Sequence, residues 1–190
     1  MTDRLKRWFR PRWELLFWVA VLGFVGYRLA PQLGAALGLG AGETPVTAGS
    51  FETIHGEVLS MEDFRGKVVL VNAWATWCPP CVVEMPGFQR VYEDYRDQGF
   101  MVLGISRDQG SPDLVRSFLR QKEITYPVAM AWQPGLTSFE ASTLPTSFLV
   151  GRDGKIKHTV VGIFAEPTLR MAVKTLLSES LPGDSEAGSP

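Results

Sequence analysis

The chain has 190 residues, with 19 Lys or Arg against 20 Asp or Glu and a net charge of −1. That length accommodates one well-buried domain with extensions, and a hydrophobic fraction of 45% with 21% charged residues excludes wholesale disorder. Charge is uneven: residues 1–50 carry six basic and three acidic side chains, leaving 13 basic and 17 acidic for residues 51–190. A mildly acidic globular part has no basic footprint for nucleic acid, so no nucleic-acid partner is expected.

Five of the first twelve residues are Lys or Arg, and Leu15 to Tyr27 is apolar or Gly throughout. The run reaches Leu29 and Ala30 if Arg28 snorkels. Residues 15–30 therefore read as a single transmembrane signal anchor, slightly short for a span, with residues 1–14 as a basic cytoplasmic segment. The positive-inside rule then places all that follows on the extracytoplasmic side of the membrane. A cleaved signal peptide, cut around Ala35–Ala41, is the competing reading. Residues 31–50, rich in Gly and Ala, read as a flexible linker, and residues 181–190 as a disordered tail.

Residues 51–180 hold the globular domain. Phe51–Ile54 and Val58–Leu59 flank His55-Gly-Glu57 as a short hairpin. Lys67–Trp74 is a near-continuous apolar run, as in a strand covered on both faces. A helix is predicted over Pro79–Arg96, a second buried strand over Phe100–Ser106, and a helix over Ser111–Gln121, capped by Ser111 with Pro at its first position. A short segment near Tyr126–Met130 follows. Strands at Thr146–Val150 and Ile156–Val161 flank the turn Gly151-Arg-Asp-Gly154, and a helix spans Glu166–Leu177. This order predicts an α/β fold with a mixed central sheet flanked by helices.

Only two cysteines occur, Cys78 and Cys81, at the junction of a predicted strand and helix. At a helix N-terminus Cys78 is favoured as a thiolate, and Cys81, one turn inward, is more shielded. Cys78 is then the attacking thiol and Cys81 the resolving one. Pro79 and Pro80 remove two N–H donors and moderate the effect. Two other readings stay open: a structural disulfide, although so short a loop gains little closure entropy, and a zinc site, although two cysteines and the unsuitably spaced His55 and His158 fall short of a ligand set.

Val69-Leu-Val-Asn-Ala-Trp-Ala-Thr-Trp-Cys-Pro-Pro-Cys81, then Glu84 and Pro86, then Leu144-Pro-Thr-Ser-Phe-Leu149, resembles the TlpA/ResA/DsbE-like thioredoxin family over residues 51–178. The resemblance implies a thioredoxin-like fold with an N-terminal membrane helix and a redox-active Cys78–Cys81 disulfide. It makes Trp77, Leu144 and a cis Pro145 the substrate-binding residues, and Pro86 the proline that bends the active-site helix. It also makes Glu84 the proton acceptor for Cys81, a role an Asp on the preceding strand fills in classical thioredoxins; here that place holds Asn72. Asn72 cannot titrate, so its loss is expected to affect packing more than pH dependence. Phe88, Val91, Tyr92 and Tyr95 read as core contacts, His55 and His158 as exposed, and Trp132 and Phe139 as either core or substrate face.

The function implied is a protein thiol-disulfide oxidoreductase without cofactor or metal, reducing disulfides such as those of apocytochrome c or a copper-binding cysteine pair. Its partners would be exported protein thiols and disulfides and a membrane electron donor that re-reduces it. An oxidase with the same site is the alternative in direction, since potentials of such pairs run from about −120 to about −270 mV. A copper chaperone using Cys78 and Cys81, with Met85 nearby, is the alternative in class. A peroxidase is disfavoured because the expected Pro and Thr do not precede either cysteine at the required spacing.

Overall fold

The computed structural model describes residues 16–23, 44–46 and 49–179. The chain divides into two units, Met1–Gly40 and Ala41–Pro190. In the first, residues 16–23 are helical, and Leu16, Phe17, Trp18, Val19 and Leu22 are exposed. No helix among the described residues is long and apolar enough to cross a membrane. The remainder of the predicted anchor, residue 15 and residues 24–30, lies outside the described residues, as do the basic segment 1–14, residues 31–43, 47 and 48 of the linker, residue 180 and the tail 181–190.

The second unit is built on β4 (Val68–Trp74), in which every residue is buried. Its parallel neighbour is β5 (Phe100–Ser106), and on its other side β7 (Thr146–Val150) runs antiparallel. The sheet is completed by β6 (Val128–Met130) beside β5 and by β8 (Lys155–Val161) and β1 (Thr44–Pro45) beyond β7, giving the order β1-β8-β7-β4-β5-β6. Thr44 and Pro45 pair with Ile156 and Lys155, so sheet pairing reaches back into the predicted linker. A separate hairpin joins β2 (Ser50–Glu52) to β3 (Val58–Ser60). Its turn contains Gly56 at φ 85°, a left-handed conformation that glycine adopts without steric penalty. The helices are α1 (Pro79–Tyr95), α2 (Pro112–Gln121, with the Ser111 side chain accepting the Asp113 N–H) and α3 (Glu166–Ser178).

The two-residue period of the strands sorts the core into two layers. Val68, Leu70 and Trp74 of β4, with Phe100 and Val102 of β5, pack on Met85, Phe88 and Val91 of α1, Val115 and Leu119 of α2, and Leu169, Val173 and Leu176 of α3. Tyr92 and Tyr95 are partly buried against the same layer. Val69, Val71, Leu103 and Ile105 face the opposite way, toward Phe51, Met61, Phe64, Leu136, Phe139 and Phe148. That second layer relies on two 3₁₀ turns, Met61–Phe64 and Pro134–Phe139, for which no element is predicted from sequence. They are too short to display a hydrophobic period. The first is started by Asp63, whose carboxylate accepts both the N–H (2.6 Å) and the hydroxyl (3.1 Å) of Ser60.

The second 3₁₀ turn reaches the hairpin only because two glycines meet. A Cβ on Gly49 would stand 2.6 Å from the Cα of Gly135, and one on Gly135 would collide with the Ser50 carbonyl. Both neighbours are backbone, so neither can swing aside. Gly135→Ala should lower stability by about 1–3 kcal/mol, the usual cost of overpacking a close contact, read as a lower denaturant midpoint with an unchanged slope.

Candidate active site

β4 ends at Trp74, and the chain turns through Ala75–Trp77 into α1. Cys78 is the N-cap of that helix, with extended backbone (φ −99°, ψ 97°), and Pro79 and Pro80 occupy the first helical positions. Proline fits there because the first helical N–H groups have no partner within the helix. The Cys78 N–H donates to the Ala75 carbonyl at 3.1 Å, closing the turn. Cys78 and Cys81 are joined in a disulfide with an S–S distance of 2.04 Å. The two sulfur residues differ in access: Cys78 is 5% exposed and Cys81 0%. Trp77, beside them, is 66% exposed.

Glu84 lies three residues after Cys81 and is buried, at 5% exposure. It points between sheet and helix, where its Oε1 accepts from Asn72 Nδ2 at 3.0 Å and its Oε2 from the Phe164 backbone N–H at 2.9 Å. Burial raises its pKa to about 7, against the lowering effect of the Phe164 and Asn72 hydrogen bonds. Asn72 also donates to Ser147 Oγ at 3.0 Å, across the pairing of β4 with β7. Asn72 is therefore more than the packing residue expected from sequence: it donates to the carboxylate and favours its charged form. The Tyr126 hydroxyl, fully within the same layer, has its pKa raised by burial and by the Glu84 carboxylate.

The Leu144–Pro145 peptide is cis. Thr146 pairs with Ala73, so this peptide and the cysteine loop leave the sheet at the same end. Pro145 is buried and its carbonyl accepts the Gly162 N–H at 2.8 Å; Leu144 is partly buried against the first core layer. Pro86 sits inside α1, leaving the Val82 carbonyl without the N–H that another residue would supply there.

The remaining residues singled out in the sequence fall elsewhere. His55 is exposed in the hairpin turn. His158, on β8, pairs with Leu149 of β7 and is half-buried, less exposed than expected. Met85 and Phe139 are core residues, whereas Trp132 is 60% exposed. Trp132 lines a cleft of about 620 Å³ with Arg107, Leu136 and Glu140. Sequence reasoning missed Ser147 and the Phe164 N–H, both of which serve Glu84 or its partner. A backbone donor has no side-chain signature, and a serine in a strand gives no hint of what it faces.

Comparison with known proteins fits this geometry. Residues 44–159 match the AhpC/TSA family. The chain is 32% identical over 110 residues to the thiol-disulfide oxidoreductase ResA of Bacillus cereus (strain ZK / E33L), covering 57% of this chain and 63% of that relative. It is 30% identical over 166 residues to ResA of Geobacillus thermodenitrificans (strain NG80-2), covering 85% and 91%. Among solved structures, a thiol:disulfide interchange protein of the thioredoxin family from Chlorobium tepidum TLS superimposes with a TM-score of 0.66 at 30% identity, over 73% of this chain and 99% of that one. The match over residues 44–159 and the similarity to ResA of Geobacillus thermodenitrificans show that the chain belongs to the thioredoxin-like AhpC/TSA family.

Proposed function

We propose that this protein is an extracytoplasmic thiol-disulfide oxidoreductase, tethered to the cytoplasmic membrane through residues 15–30, that reduces disulfides of other exported proteins. The observation that carries this reading is the disulfide at the start of α1 with a buried carboxyl one turn beyond it, its pKa near 7. The ResA relatives, named for thiol-disulfide exchange, support the same chemistry.

In the reduced protein the Cys78 thiolate attacks one sulfur of a substrate disulfide, forming a mixed disulfide and releasing the other substrate sulfur as a thiolate. Cys81 then gives its proton to Glu84 and attacks Cys78, re-forming the bond present in this structure. Two electrons have passed to the substrate, whose sulfurs leave as thiols once protonated. A membrane electron donor restores the dithiol. Trp77, Leu144 and Pro145 serve as the cradle for the extended substrate chain around its cysteine. Apocytochrome c or a copper-binding cysteine pair are the substrate classes that the ResA/DsbE resemblance suggests.

The unequal burial of the cysteines, 5% against 0% exposure, supports Cys78 as the attacking thiol and Cys81 as the resolving one. Cys81→Ser should accumulate mixed disulfides between Cys78 and partner proteins on non-reducing gels, and Cys78→Ser should trap far fewer. Equal trapping by both would reverse the assignment.

Glu84 accepts a proton only when ionised, so the resolving step should rise with pH through about 7. Glu84→Gln should lose that inflection and slow exchange at pH 7 by about 10²-fold, measured in stopped flow from pH 5 to 9. Stability reports the same group with a defined sign. Because the folded pKa lies above the unfolded value, the native state holds the extra proton between about 4.5 and 7, and stability falls as pH rises through that window. Glu84→Gln should remove this slope, which amounts to roughly 3 kcal/mol over the window.

The proposed tether predicts membrane-bound material whose cysteine domain is digested by protease only when the outer side is accessible. A mature chain beginning beyond residue 35 would replace the anchor by a cleaved signal.

A further inference from the structure

A second buried carboxylate stands next to the cysteine loop, and the mechanism above makes no use of it. Asp108 follows β5 and is 4% exposed. Its Oδ2 accepts the Thr76 N–H at 3.0 Å and the Ser106 hydroxyl at 2.8 Å, and its Oδ1 accepts the Thr76 hydroxyl at 2.6 Å. Its own N–H donates to Ser106 Oγ at 3.2 Å. One residue earlier, the Arg107 N–H donates to the Trp74 carbonyl at 2.8 Å, carrying the β4–β5 association past the last paired residues. Both polar donors of Thr76 thus end on a single carboxylate anchored to the sheet.

Burying a carboxylate is costly unless donors surround it, and removing a donor leaves a buried charge under-satisfied. The Ala75–Trp77 loop consequently cannot rotate without taking two donors from Asp108. Thr76 is two residues before Cys78, and the Cys78 N–H closes back on Ala75, so the position of Thr76 fixes where the N-cap begins. That position matters because the field of a helix N-terminus falls off within its first turn. It matters more here because Pro79 and Pro80 contribute no N–H, leaving little else to hold a thiolate at Cys78.

Resting on the reading of Cys78 as the nucleophile, we infer that Asp108 is a positioning residue which, through Thr76, locks the loop that delivers Cys78 to the N-terminus of α1. Charge and position make opposite demands on this carboxylate. Acting through its charge alone, it would disfavour a nearby thiolate. Acting by placing Cys78, it favours one.

The test uses the full chain carrying Cys81→Ser, so that Cys78 is the single thiol, and follows alkylation by iodoacetamide against pH. Thr76→Val keeps the branched shape and the Asp108 charge but removes the hydroxyl donor; Thr76→Ser restores that donor. Positioning predicts that Thr76→Val raises the Cys78 midpoint by about half a unit or more, an alkylation rate at pH 7 slower by about threefold, with Thr76→Ser at the parent value. Asp108→Asn should shift the midpoint upward as well. An unchanged midpoint in Thr76→Val with only a lower melting temperature overturns the inference and leaves the contact a fold support. A lowered midpoint in Asp108→Asn overturns it in favour of a purely electrostatic role. The parent Cys81→Ser protein separates this from the functional reading: if Cys78 there titrates like an ordinary thiol, near 8.5, and captures no partner, the nucleophile assignment falls and the inference with it. If the parent traps partners and the Thr76→Val midpoint is unchanged, only the positioning role is lost.

Discussion

The candidate site is built around one buried carboxylate at which three parts of the fold meet. Glu84 comes from α1, Asn72 from the central strand β4, and the Phe164 N–H from the segment between β8 and α3. Each donor favours the ionised form while burial opposes it, and burial is the larger effect. The result is a carboxyl balanced near neutrality, the condition under which a group both accepts and returns a proton. A fully satisfied carboxylate would remain ionised and bind protons poorly; one with no donors would stay neutral.

The same arrangement connects chemistry to the surface. The Gly162 N–H bonds to the Pro145 carbonyl, and two residues later the Phe164 N–H bonds to Glu84. Between them Ile163 is 56% exposed. A short strap therefore touches both the cis-proline loop and the buried acid. Its inner end is fixed by Phe164, itself a core residue.

Glu84 and Asp108 illustrate two ways of burying an acid beside a thiol pair. Asp108 meets two hydroxyls and an amide, and ties a loop. Glu84 meets one amide side chain and one backbone N–H in mostly apolar surroundings, and its pKa rises.

Much of this protein is determined locally and so could be read from its sequence. Near-continuous apolar runs at Lys67–Trp74 and Phe100–Ser106 have no stable place except a strand covered on both faces. Ser111-Pro112 starts a helix by capping chemistry, and Gly151–Gly154 turns a hairpin by its backbone freedom. The spacing of Cys78 and Cys81 at a strand–helix junction makes their pairing geometrically ready, and the family motifs pointed to Glu84 and Pro145. What the sequence left open depends on contacts between distant segments. The pairing of Thr44 with Ile156, the meeting of Gly49 with Gly135, and the donors that Phe164 and Ser147 supply are set by how strands and loops stack, and short or backbone interactions leave no periodic trace. The grip of Asp108 on Thr76, across 32 positions of sequence, exists only because β4 and β5 lie side by side and end together. Sequence pointed to the cysteine pair; tertiary packing decided which groups surround it, because a pKa and a loop position are properties of neighbours brought together in space.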